Sequence, residues 1–239
     1  MEERLQKIIA GSGISSRRVA EKMIVDGMVS VNDVVVRQLG AMADIEADEI
    51  RVDGKLILPE VSKVYLMLHK PKGYVTTLHD PQKRAVVKDL LSGISERIFP
   101  VGRLDYDSEG LLLMTNDGDF SLRVQHPRFG IPKSYMVKIE GTLTKSEVRA
   151  LSEGIRLSDG NFKPKNLQII RTNRKSSWLT LTIAEGRNRL IRRGLESLGH
   201  PIVRLIRTAI SDISLGNMKA GTFRHLTRKE VQHLLSFSR

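Results

Sequence analysis

Between Gly102 and Gly110 the chain reads Gly-Arg-Leu-Asp-Tyr-Asp-Ser-Glu-Gly, placing Asp105, Asp107 and Glu109 directly before the apolar run Leu111–Met114. Carboxylates beside a buried strand are costly unless arginine or backbone donors hold them. The stretch is therefore either an acidic turn neutralised by Arg103 or a group of carboxylates held for chemistry. Glycoside hydrolysis by the pair Asp105 and Asp107 is one such chemistry, but an i,i+2 spacing fixes no separation between the two groups. Other reactions have less to draw on. The six histidines, at 69, 79, 126, 200, 225 and 233, form no His-x-x-x-His pair, and the chain has no cysteine, so neither a metal site nor a thiolate centre is expected. The phosphate-cradling patterns Gly-x-x-x-x-Gly-Lys-Ser/Thr and Gly-x-Gly-x-x-Gly are absent, as is the Gly-x-Ser-x-Gly nucleophile elbow.

The elements that must position these carboxylates follow from local patterning. Leu5, Ile8 and Ile9 recur at helical spacing, and Gly11 and Gly13 stop that helix. Ser15 is the expected N-cap of a second helix with Val19, Ala20, Met23 and Ile24 on its apolar face, ended by Gly27. A hairpin turning at Asn32-Asp33 follows, then a strand and turn at Arg51–Lys55. Leu58–Ser62 reads as a linker, giving domains of 1–58 and 64–239 joined by 59–63. Beyond it, strands are expected at Val64–Leu68, Leu111–Thr115, Tyr135–Ile139 and Trp178–Ile183. Helices are expected at Val86–Leu91, after the capping boxes Thr144–Glu147 and Thr227–Glu230, and over Arg187–Leu198 before Gly199. The mixed order predicts an α+β fold: a small helix-helix-hairpin domain, then a larger domain on a mainly antiparallel sheet with flanking helices.

Charge separates the two parts. The 239 residues carry 39 Lys+Arg against 27 Asp+Glu, a net of +12, which favours a polyanionic partner. Residues 1–60 are net −3, whereas residues 171–239 hold 14 basic and 4 acidic side chains. Even the acidic first module is basic on its helical half, where Arg4, Lys7, Arg17, Arg18 and Lys22 face only Glu21, and Ser16 lies near a helix N-terminus that favours phosphate. Without a signal-peptide pattern or an apolar run approaching the ~20 residues of a membrane span, the chain reads as a soluble cytoplasmic protein that does not engage membranes.

The residues Arg4–Lys7, Ser15–Arg18 and Asp26–Asn32, in this order of elements, resemble the S4 RNA-binding domain. Gly102–Asp105 with Ser108–Leu113 and Thr115–Gly118 resembles the central motif of ribosomal RNA pseudouridine synthases of the small-subunit synthase A branch. Lys70-Pro71-Lys72-Gly73, then His126-Pro127 with Lys133-Ser134-Tyr135, and Glu185–Arg193 are similar to that family's other motifs and come in the same order. The resemblance implies catalysis by Asp105, a Tyr135 ring stacked on the target base, Arg192 as the partner of Asp105, and no cofactor. RNA contacts are expected from the basic residues of the first module and from Lys70, Lys72, Arg103, Lys133, Arg187, Arg189 and Arg193.

Elementary chemistry agrees with those roles. Converting uridine to pseudouridine breaks N1–C1′ and joins C5 to C1′ without a redox step, and a carboxylate can serve as nucleophile or base. The target base must leave its stack, where a tyrosine face can hold it. On an ideal helix Arg192 lies about 100° from the face of Ile191, Leu195 and Leu198, within reach of a buried carboxylate, whereas Arg189 and Arg193 point away toward phosphates. Asn188-Arg189 looks most like the large-subunit synthase B branch, so large-subunit ribosomal RNA, free or in an assembling subunit, is the expected partner of a monomer. A small-subunit enzyme and a non-catalytic assembly factor are the alternatives. Gly194 stands where the family more often has methionine, and Ser211 where glycine is common.

Overall fold

The computed structural model describes residues 1–58 and 62–237. Pro59, Glu60 and Val61, most of the expected linker, lie outside the described residues. The chain divides into two compact units. The first comprises Met1–Val64 with the short segments Ser95–Ile98 and Asn116–Gly118; the second comprises the rest. The first unit reaches past the expected boundary partly because Asn116 is tied to its end. The Asn116 side chain accepts from Val64 N at 2.8 Å and donates to Ser62 O at 2.8 Å.

The first unit runs β1 (Glu3–Arg4), α1 (Leu5–Gly11), α2 (Arg17–Val25), β2 (Val29–Val31), β3 (Val34–Val35), β4 (Met42–Ala43), β5 (Ile50–Val52) and β6 (Lys55–Leu56). Leu5, Ile8, Ile9, Ala20, Ile24, Val29 and Ile50 form its core. Ser16, one residue later than expected, is the N-cap of α2, its Oγ accepting from Val19 N at 3.3 Å; Val19 itself is exposed. Asn32 and Asp33 both adopt left-handed backbone angles, the type I′ geometry that matches the twist of the β2–β3 pair.

The second unit contains β7 (Tyr65–Lys70), β8 (Phe99–Val101), β9 (Glu109–Thr115), α3 (Gly118–Gln125), β10 (Lys133–Glu140), α4 (Lys145–Glu153), β11 (Ile155–Leu157), β12 (Gly160–Phe162), β13 (Lys165–Thr172), β14 (Ser176–Ile183), α5 (Leu190–Glu196), β15 (Ile202–Ile210), β16 (Ile213–Ser214), β17 (Phe223–His225) and α6 (Arg228–Ser236). Its sheet has the order β13-β14-β10-β15-β9-β7-β17, with β8 on β9 and β16 on β15. Among the described residues, pairing in this sheet is antiparallel except for β15 with β9. β9 is buried on both faces from Gly110 onward, which explains its unbroken apolar sequence. The fold is thus α+β on a large, mainly antiparallel sheet. The short helix expected at Val86–Leu91 is a 3₁₀ helix over Val87–Leu90.

Gly110 is what permits the parallel β9–β15 junction. Its φ is +111°, and a Cβ there would lie 2.2 Å from the Arg207 carbonyl oxygen. Only glycine lets the two backbones approach this closely.

Candidate active site

Asp105 sits in the loop between β8 and β9, and that loop is held from beneath. Lys70, at the end of β7, is completely buried, and its ammonium donates to the carbonyls of Pro71 (3.2 Å), Asp105 (2.9 Å) and Ser108 (2.8 Å). Burial lowers its pKa to about 8, opposed by the neighbouring carboxylates of Asp105, Asp107 and Glu109. The expectation that Lys70 touches RNA is therefore corrected: its side chain is spent inside the protein on the loop's backbone. From the other side, the Thr76 hydroxyl donates to Leu104 O at 2.6 Å and accepts from Leu104 N at 3.3 Å. The residue before Asp105 is thereby pinned, a contact no sequence motif announced.

The arginine segment departs from the ideal-helix expectation. α5 begins only at Leu190, and Arg189 before it has a left-handed φ of +46°. The irregular turn redirects Arg189, which does not point away: its Nη1 lies 3.6 Å from Asp105 Oδ2. Arg192 is 5% exposed and reaches the same oxygen at 3.7 Å through Nε. Its shortest ion pair is with Asp107, at 2.9 Å, and it also donates to Ser108 Oγ at 3.2 Å. One carboxylate thus stands between two guanidinium groups, and Arg192 braces the neighbouring turn as well.

Arg193 is likewise corrected, because it is not a free phosphate contact. It forms a two-pronged pair with Asp159, in the turn between β11 and β12, at 2.9 and 2.7 Å. Arg187 bonds Asp159, Glu185 and the Asn161 carbonyl. Acidic partners hold both below their ordinary acidity and fix the segment that carries Arg189.

Asp105, Arg189 and Arg192 open into a cleft of about 670 Å³ that also takes in Thr76, Arg103, Lys133, Tyr135, Arg187 and Arg207. Tyr135 lies on β10, is largely buried and lines the cleft; register puts it opposite Arg207 of β15. Lys133 donates to Ile131 O at 3.1 Å, and burial together with Arg207 lowers its pKa to about 8. Lys72 and Arg103 are exposed. In the first unit Arg4, Arg17, Arg18 and Lys22 are exposed, and Lys7 pairs with Glu3. Sequence reasoning missed Arg207; the available signal was an arginine directly after the apolar pair Leu205-Ile206 in a strand. No group of three or more metal-ligating side chains occurs among the described residues, and no helix there is long and apolar enough to cross a membrane.

Residues 64–197 match the RNA pseudouridylate synthase family, and residues 3–50 match the S4 domain. An RNA pseudouridine synthase of Aquifex aeolicus is 43% identical over 235 residues, covering 98% of this chain and 94% of that protein. The ribosomal large subunit pseudouridine synthase B of Bacillus subtilis is 42% identical over 234 residues, covering 97% and 95%. A crystal structure of a pseudouridylate synthase superposes with a TM-score of 0.67 at 29% identity, covering 97% of this chain and 99% of that one. With its own acidic loop, arginine segment and tyrosine strand gathered at one cleft, the chain belongs to the RNA pseudouridylate synthase family.

Proposed function

We propose that this enzyme isomerises uridine to pseudouridine in large-subunit ribosomal RNA, with Asp105 acting at C1′ of the target nucleotide. The observation that carries the reading is the placement of Asp105 Oδ2 at 3.6 and 3.7 Å from Arg189 and Arg192, at the mouth of a cleft that also holds Tyr135. Two guanidinium groups flank and orient the carboxylate that either a nucleophilic or a proton-abstracting route uses. The Tyr135 ring offers a stacking face for a base taken out of the RNA helix. The cleft, at about 670 Å³, has room for a nucleoside. Binding falls to the exposed cations Arg103 and Lys72 in the second unit and to Arg4, Arg17, Arg18 and Lys22 in the first, with free RNA or an assembling subunit as partner. The large-subunit assignment rests on the name carried by the 42% identical relative and on the Asn188-Arg189 pair.

The test is chemical mapping of pseudouridine in ribosomal RNA from cells with the protein, without it, and with Asp105→Asn. That substitution removes the charge and nearly keeps the shape. Pseudouridine at the enzyme-dependent position should vanish, while RNA affinity changes by less than about tenfold (~1.4 kcal/mol). Turnover by the asparagine variant, or an unchanged modification map in cells lacking the protein, would overturn the assignment. A missing mark in small-subunit RNA instead would redirect it.

A further inference from the structure

The cleft has two electrically different walls. On one, Asp105 faces Arg189 and Arg192, and Arg192 is also paired with Asp107. The other holds Arg207 and Lys133, and among the described residues neither forms an ion pair with a carboxylate. Arg207 is only 3% exposed. Its Nε donates to Leu111 O at 2.7 Å, which fixes the guanidinium, but its Nη2 is buried with no hydrogen-bond partner. Arg192 Nε also lacks a hydrogen bond, yet it has the Asp105 carboxylate at 3.7 Å, and Arg207 has no such ion pair. A buried charged donor left unmade is costly, and folds keep such groups mainly where another molecule supplies the acceptor. Lys133 adds a second cation to the same wall, and burial first, then the Arg207 charge, lowers its pKa. Directly opposed residues on antiparallel strands share a face, so Arg207 and Tyr135 stand side by side toward the cleft.

We propose, resting on the uridine-isomerase reading, that Arg207 with Lys133 behind it takes the carbonyl edge of the target uracil and stabilises the charge the base gains during bond cleavage. When N1–C1′ breaks, its electron pair leaves with the base, and the negative charge spreads over N1, O2 and O4. The matching positive charge at C1′ is met by Asp105. Arg207 donates a hydrogen bond to a carbonyl oxygen without giving up its proton. C5 then donates an electron pair to C1′; loss of the C5 proton to solvent and gain of one at N1 complete the isomer. Arg207 thus acts in the manner of an oxyanion-hole donor, stronger toward the charged base than toward the neutral one.

The test measures cleavage of the N-glycosidic bond in single turnover at saturating enzyme, using RNA with either uridine or 5-fluorouridine at the target position. Fluorine withdraws charge and makes the departing base less dependent on the enzyme. Arg207→Met should slow uridine cleavage about a hundredfold, as removal of an oxyanion donor does, but slow 5-fluorouridine cleavage no more than about tenfold. Arg207→Lys should fall between wild type and methionine, and RNA affinity should hold within about threefold. Equal losses on both substrates would mean that Arg207 only braces β9 through Leu111, and the proposal would fall. Weakened binding with a shallower salt dependence and an unchanged rate would mark a phosphate contact instead, and would also overturn it. If Arg207→Met does not fold, Lys133→Met must show the same substrate-dependent loss in smaller measure, or the proposal fails. Wild-type protein inactive on uridine RNA would refute the functional reading itself, whereas active wild type with an equally active Arg207→Met would refute only this one.

Discussion

Gly194 offers a quantitative test of how α5 is seated. A Cβ built at this position would lie 2.1 Å from Phe162 Cδ1 and 2.3 Å from Cε1. Phe162, at the end of β12, has no exposed surface, so its ring has little room to retreat. The ring thus occupies the space that a side chain at position 194 would take. Gly194→Ala gains at most about 1 kcal/mol of helix propensity. Overpacking costs about 1–3 kcal/mol, and an added Cβ 2.1 Å from a fully buried ring puts it at about 2–3 kcal/mol, so the net loss should be about 1–2 kcal/mol. For a protein of this size that lowers the melting midpoint by roughly 4 °C. Phe162→Leu alone should also destabilise, through the volume it removes. Combined, the two should cost less than their sum by about 1 kcal/mol, because the smaller side chain admits the added methyl. The single tryptophan, Trp178, lies in β14, so its fluorescence during urea unfolding reports on the second unit. Since Arg192 lies two residues before Gly194, single-turnover activity should fall about tenfold in Gly194→Ala and recover in the double variant. Additivity within about 0.5 kcal/mol, or a single alanine variant as stable as wild type, would refute the account.

Two further outcomes follow from the cleft. Lys133 is protonated below its lowered pKa of about 8 and loses its charge above it, so kcat/KM should drop about tenfold between pH 7 and pH 9. Lys133→Arg should reduce that alkaline fall, leaving the part due to Lys70, whose pKa is also lowered to about 8; parallel profiles for the two proteins would rule out Lys133 as a source. At Arg192, a lysine keeps one charge near Asp105 but cannot also hold Asp107 and Ser108, as the guanidinium does at 2.9 and 3.2 Å. Single-turnover rates should therefore rank wild type, Arg192→Lys, Arg192→Met, and equal rates at saturating enzyme would dismiss Arg192 as the brace.

What the sequence discloses depends on how local the cause is. The hairpin at Asn32-Asp33 and the capping boxes at Thr144 and Thr227 are decided by a few adjacent residues, and each appears where it was read. β9 was legible because burial on both faces leaves an unbroken apolar run. Arg189 was misjudged for the opposite reason. Helical periodicity was extended through Arg187–Arg189, whereas Asp159, from a distant hairpin, ties Arg187 and Arg193 and the chain enters α5 through a left-handed residue. Lys70 misled in the same way: its type suggests a surface cation, but the three carbonyls that capture it are set by chain segments up to 38 residues away. Composition showed many cations and could not show which were already spent. Subtracting the arginines and the lysine satisfied within the fold sharpens the electrostatic picture. In the cleft, Arg192 and Arg189 are matched to carboxylates, while Arg207 and Lys133 face an unmet demand for negative charge. That asymmetry is what a uridine splitting into a positive sugar carbon and a negative base requires: a carboxylate for the first, and uncommitted donors for the second.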